Sequence, residues 1–469
     1  MVRSNLVEDS WTTFGIDLHV ELRGPLRRRA LEGALRAAIA DGRLPAGTSL
    51  PSTRSLAADL GMARNTVVDA YEQLTAEGWL EARRGSGTTV ADRPRAAAGV
   101  AAMASERPPQ WRHDLRPGGP DLSSFPRGAW LAASRRALSY APNADLGYGD
   151  PRGTRRLREA LAEYLGRARG VRTHPSRIVI CSGFTQAFGL LCQVLGERGA
   201  TRLAVECYAL PQLRQIATRA DLDVVTVGVD EQGADVASAG RSAAAAVITP
   251  AHQFPLGTVL SPTRRRAALA WARREGAVIV EDDYDGEFRY DREPLGALQG
   301  LDPERVIYAG TASKTLAPAL RLAWLALPAE LVQPVAEAKL LADRHTAVIE
   351  QLTLAEFIRS GAYDRHIRRR RLAYRQRRDH LVDALGSRRV EGISAGLHVV
   401  VNLPHGLSEA GAVTAAGGRG LALEGLDAYR AGLATRPPAL VVGYAAPPDH
   451  GYRAAITLLR HVVDTSSAS

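Results

Sequence analysis

Lysine is almost missing from this chain. Of its 60 basic residues only Lys314 and Lys339 are lysine, and the rest are arginine. A guanidinium stays protonated at neutral pH and forms no Schiff base, so chemistry that needs a free amine has two candidates. Cysteine is also scarce. Cys181, Cys192 and Cys207 are too few for a disulfide framework, and no Cys-x-x-Cys or Cys/His pair has zinc spacing. Reduced thiols and no metal site are expected. No run of about 20 apolar residues is present, which argues against a membrane span. The opening MVRSNLVEDSW carries acids and no apolar core, so it predicts no secretory signal. These absences predict a cytoplasmic protein without a membrane partner.

What is there fits a large folded chain. Its 469 residues are 45% hydrophobic and 23% charged, enough for two to four domains of ~100–200 residues. The net charge of +10 invites a nucleic-acid reading. Yet residues 1–90 hold eleven Arg against eleven Asp and Glu, so the excess lies elsewhere. Eight Arg crowd between Arg365 and Arg378, which reads as a solvated helix face. Charge alone therefore does not establish DNA binding.

Periodicity divides the chain. GPLRRRALEGALRAAIADG predicts a helix with Pro25 in its first turn and Gly42 after its end. Ser52 caps a short helix, Thr53–Leu60, and Gly61 separates it from a second, Arg64–Glu77. WLEARRGSGTTV reads as a hairpin turning at residues 84–87. Helix, helix–turn–helix and hairpin make a winged helix–turn–helix layout over 14–90. The Ala- and Pro-rich stretch 91–113 is a linker. Over 114–465 short apolar runs alternate with helical segments: Ile178–Ile180, Leu203–Val205, Val224–Val227, Ala245–Ile248, Val278–Val280, Val306–Tyr308 and Leu322–Leu327. That alternation predicts an α/β domain with a mostly parallel sheet and helices on both faces. A βαβ-like tail, with strands near Leu397–Leu403 and Leu440–Tyr444, predicts a small C-terminal α/β subdomain. Residues 405–438 show no clear period.

PSTRSLAADLGMARNTVVDAYEQLTAEGWLEARRGSGTTV closely resembles the GntR-type winged helix. A helix opening with Arg64, Asn65 and Thr66 suits a major groove, where Arg grips guanine or phosphate and Asn reads adenine. The resemblance implies a double-stranded DNA operator as partner. It adds Arg54 as a backbone or base contact and Arg84, Ser86 and Gly87 as the wing tip. Ala63 departs from the family's usual serine, removing a helix cap or phosphate contact.

VIVEDDYDGEF and VIYAGTASKTLAPALRLAWLALP resemble a fold-type I, class I aminotransferase domain. The joined arrangement is similar to the MocR subfamily of GntR regulators, which includes GabR- and PdxR-like proteins. The resemblance implies a pyridoxal 5′-phosphate cofactor bonded to Lys314. Asp282, or Asp283, would hold the pyridine nitrogen protonated, and Tyr284 would bond the 3′-oxygen. Ser182, Gly183, Phe184 and Thr185 open a helix N-terminus suited to the phosphate, joined by Thr311, Ser313 and Arg321. His252, with Gln253, belongs to a loop beside the 3′-oxygen. Tyr148 would cross to the phosphate of a second copy in a head-to-tail, domain-swapped homodimer.

Three positions depart from the pattern. Leu210 stands where the family has an aromatic stacked on the ring, so either Tyr208 substitutes or the stacking is weaker. Gln212 replaces an arginine of the γ-aminobutyrate-binding member, and Val441 replaces the arginine that grips a substrate carboxylate. The expectation is a regulator that senses pyridoxal phosphate or its adduct with a small amine or amino-acid effector. The alternative is a working aminotransferase carrying a DNA-binding unit.

Overall fold

The computed structural model describes residues 27–83, 87–92, 111–241, 243–291, 295–432 and 434–464. The chain divides into two compact units, Met1–Pro108 and Pro109–Ser469.

In the first unit, α1 (Arg27–Ala40), α2 (Thr53–Asp59) and α3 (Arg64–Ala76) precede a hairpin of β1 (Leu80–Arg83) and β2 (Gly87–Val90). Leu31, Leu35, Leu56, Val67, Tyr71 and Leu74 fall on inward faces and form its core. The Tyr71 hydroxyl donates to the Pro51 carbonyl at 3.1 Å, fixing α3 against the start of α2. Ser52 caps α2 by accepting from Ser55 N–H. Ala63 occupies the same position before α3 and offers no side-chain cap, although its φ of −64° and ψ of 134° suit one. Ala63→Ser is therefore expected to stabilise this unit by ~0.5–2 kcal/mol. Chemical denaturation checks this, and an unchanged midpoint speaks against it.

The second unit is built on a seven-stranded sheet. Its strands are β3 (Ile178–Cys181), β4 (Arg202–Glu206), β5 (Asp223–Val227), β6 (Ala245–Ile248), β7 (Val278–Asp282), β8 (Val306–Thr311) and β9 (Ala323–Ala326). They lie in the order β3-β9-β8-β7-β6-β4-β5, and β9 alone runs antiparallel to its neighbours. Successive side chains point to opposite faces: Ile178 and Ile180 join one apolar cluster, Val179 and Cys181 another. Burial on both faces explains why these strands read as unbroken apolar runs. The C-terminal ends of β7 and β8 carry Asp282 and Thr311, and the helix α4 (Phe184–Glu197) follows β3.

The tail differs from the βαβ-like expectation. Val390–Glu391, His398–Asn402, Ala439–Gly443 and Glu424–Gly425 form an antiparallel four-stranded sheet. The 405–438 segment contains a helix, Glu409–Gly417, and then Glu424–Gly425, which pairs antiparallel with Ala439–Gly443. The Arg run lies on the helix Ala362–Leu385, but its face is not uniformly solvated. Arg377 is buried, donating to Asp121 at 3.0 Å and to the Ala445 carbonyl at 2.8 Å.

Candidate functional site

The C-terminal ends of the central strands open into a cavity of about 270 Å³. Lys314, Asp282, Tyr284, Phe184, Thr185, Thr311, Ser313 and Arg321 all line it. They come from four separate stretches of chain, gathered because parallel strands end together on one edge.

Lys314 follows β8, and its ammonium donates to the Gly118 carbonyl. Burial holds the amine below its usual range, while Asp282 and Asp285 pull the other way. Asp282 closes β7. Burial pushes its carboxyl up to about 8, opposed by the charge of Lys314. Asp283 takes no part: it forms a buried pair with Arg169 at 2.7 and 2.9 Å and accepts from Tyr308 at 2.7 Å. Asp285 is also buried rather than solvated, with its Oδ2 2.8 Å from His252 Nδ1. Strand alternation separates the adjacent acids: Asp282 faces the cavity and Asp283 the interior.

His252 does not line the cavity. It stands behind Tyr284, whose hydroxyl lies 3.1 Å from His252 Nδ1. Gln253 is committed to Glu206 and to backbone carbonyls. Ser182 contributes its carbonyl to Arg321, and its hydroxyl turns towards Thr346. Gly183, with φ at +90°, is the N-cap of α4 and makes no side-chain cap. A Cβ there would sit 2.7 Å from Arg321 guanidinium atoms, so glycine lets the cation close on the turn. Arg321 itself adopts a left-handed backbone, φ +51°, at a cost of roughly 1–2 kcal/mol. Uncapped N–H groups beside a guanidinium form a site for a dianion such as phosphate.

Among the lining residues that the sequence reading does not single out are Glu206 and His398. Glu206 ends β4, and burial pushes its carboxyl up to about 7. His398 opens the strand His398–Asn402, and burial, reinforced by His252, holds its imidazole well below the usual range. An acid closing an apolar run marks both Glu206 and Asp282 in the sequence. His398 had no such signal. Leu210 lines the cavity and Tyr208 does not. Val441 is buried in an apolar cluster with Phe254 and Tyr429, and Gln212 is exposed.

In the first unit Arg54, Arg64 and Asn65 are exposed and Thr66 is half-buried. Gly87 is exposed with φ +87° at the start of β2. Arg84 and Ser86 lie outside the described residues.

Residues 27–90 match the family described as bacterial regulatory proteins, gntR family, and residues 121–426 match aminotransferase class I and II. The chain is 34% identical to the pyridoxine biosynthesis transcriptional regulator PdxR of Corynebacterium glutamicum, covering 85% of this chain and 87% of that one. It is 32% identical to the probable rhizopine catabolism regulatory protein MocR of Rhizobium meliloti, with 93% of each chain covered. The chain belongs to the MocR/PdxR family of GntR-type regulators. This regulator thus joins a DNA-binding winged helix to an aminotransferase-like domain. The latter's fold matches α-aminoadipate aminotransferase LysN of Thermus thermophilus, solved with N-(5′-phosphopyridoxyl)-L-leucine. The TM-score is 0.67 at 25% identity, over 76% of this chain and 92% of that one. The fold is one of pyridoxal-phosphate enzymes. Among the described residues no helix is long and apolar enough to cross a membrane.

The buried acids give the cofactor-free protein a pH dependence. Asp282, Glu206 and Glu287 have carboxyls raised to about 8, 7 and 7. A raised folded pKa contributes stability that is full below the unfolded value, ~4, and is lost as the pH climbs through the folded one. The cofactor-free protein should therefore melt lower at about pH 9 than at about pH 6. Asp282→Asn should reduce that difference. A higher melting temperature at alkaline pH would contradict the assignment.

Proposed function

We propose that this regulator holds pyridoxal 5′-phosphate in the cavity and uses its occupancy, or the cofactor's encounter with a small amine or amino acid, to adjust DNA binding. The observation that carries this reading is the convergence of Lys314, Asp282, Tyr284 and Arg321 on one cavity. The donor set fits the cofactor. Lys314 supplies the amine that attaches it. Asp282, a buried carboxyl short of a full counter-charge, would hold the pyridine nitrogen protonated. Tyr284, steadied by His252, would bond the 3′-oxygen. The turn Ser182-Gly183-Phe184-Thr185, with Thr311, Ser313 and Arg321, takes the phosphate. When bound, the cofactor supplies an electron-withdrawing ring to an amine joined to it.

On the DNA side, Arg54, Arg64, Asn65 and Thr66 present α2 and α3 to a groove, with Gly87 exposed at the start of β2. Tyr148 is 82% exposed and does not line its own chain's cavity, which supports a role across a head-to-tail homodimer. Leu131, Leu138 and Leu341 are likewise exposed large apolar side chains. Sedimentation at micromolar concentration should give a dimer; a monomer would contradict this.

The cofactor reading is tested by the absorbance of the purified protein. A visible band near ~420 nm that borohydride abolishes is expected. A colourless protein after incubation with pyridoxal phosphate would overturn it. The cluster of Lys314, Asp282 and Tyr284 also favours a second reading, a working aminotransferase. Val441 and Gln212 remove the arginines that would orient a carboxylate, so efficient turnover is not expected. Steady-state transamination at the ~1–10³ s⁻¹ typical of enzymes would promote the second reading.

A further inference from the structure

We infer that the cavity takes, as effector, a primary amine with an apolar or aromatic body and no carboxylate. The inference rests on the proposed cofactor site and deepens it by naming the ligand class.

The charges of the wall point to it. Among the described residues, Lys314 and Arg321 are the cations that line the cavity. Arg321 is held at the Ser182–Gly183 turn, at the phosphate end, and Lys314 is the attachment amine. His398 adds no charge, because burial keeps its imidazole neutral. The wall also contains two carboxyl groups, Glu206 and Asp282. A carboxylate entering this space finds no free counter-cation among the lining residues, and the buried Glu206 and Asp282 carboxyls beside it offer none.

The rest of the wall is apolar. Leu210 and Leu213 stand three residues apart at the start of the helix Pro211–Arg219, and so share a face. Phe254, Leu397 and Tyr429 also line the cavity. The Tyr429 hydroxyl is engaged by Glu424 at 2.6 Å, leaving the ring to the cavity. Arg214, next along the helix, is not in the wall; its guanidinium donates to the Arg430 carbonyl at 3.2 Å. Such a surface suits a hydrocarbon body attached to an amine.

The experiment compares matched pairs on the cofactor-loaded full chain: 2-phenylethylamine against L-phenylalanine, and 3-methylbutylamine against L-leucine. Dissociation constants are read by calorimetry and by displacement of the visible band. Each amine should bind at least ~10-fold more tightly than its amino acid. Leu213→Arg, which introduces a cation into the wall, should narrow that ratio by about tenfold. If this variant does not fold, the wild-type ratios decide alone. Amino acids binding as tightly as the amines would overturn the inference. So would a protein that shows the visible band yet binds neither member of a pair, and that result leaves the cofactor reading standing. Absence of the band itself would overturn both.

Discussion

Replacing Lys314 by alanine is expected to abolish covalent capture of pyridoxal phosphate while leaving the fold intact. The side chain ends in the cavity, and its polar contact within the chain is the Gly118 carbonyl. Burial favours its neutral, nucleophilic form, and no packed core depends on its length. The loss also costs little electrostatically: Asp282, already raised to about 8, simply stays protonated. The melting midpoint should stay within an equivalent of about 1 kcal/mol. Lys339 is a structural contrast. It is fully buried, and its ammonium donates to Asp343 at 2.8 Å and to Gln186 at 3.2 Å. Borohydride reduction of the wild type should place the label on the Lys314 peptide, with none on Lys314→Ala. A label on Lys339 would refute the assignment.

Arg64→Ala is expected to weaken binding to a specific DNA site by ~1–3 kcal/mol, or roughly 5–150-fold. Arg64 and Asn65 are exposed at the start of α3, where recognition-helix residues meet base edges. The core below them, Val67, Tyr71 and Leu74, is untouched by the change, so stability should hold. If Arg64 reads a base, the variant loses discrimination at one position. If it grips phosphate, affinity falls evenly across sequences and the salt slope drops by about one. An unchanged footprint at about 0.15 M salt would contradict either role.

Much of this architecture is legible in the sequence because local signals agree with the fold. Ser52, Gly61 and the apolar positions of α3 specify the helix–turn–helix through caps, breaks and period. The strands of the central sheet appear as apolar runs because both faces are covered. What the sequence leaves open depends on partners far along the chain. Asp282 and Asp283 are adjacent and chemically alike; only Arg169, 114 residues away, shows which one is occupied. Arg377 looks like its exposed neighbours in the arginine run until Asp121, 256 residues away, receives it. His252 is in the expected loop, yet its place behind Tyr284 follows from the pairing with Asp285. The antiparallel tail was missed because the strand Glu424–Gly425 is two residues long and carries no period.

The central claim is that the aminotransferase-like domain reports its cofactor to the DNA-binding unit. It is tested by measuring the affinity of the full chain for a genomic fragment selected by the protein itself. Wild type and Lys314→Ala are compared, each with and without pyridoxal phosphate, at one fixed salt concentration. A coupling free energy of the usual size, ~1–3 kcal/mol, predicts at least about a fivefold change on adding the cofactor to wild type, and none with Lys314→Ala. Equal affinities in all four measurements would contradict the account.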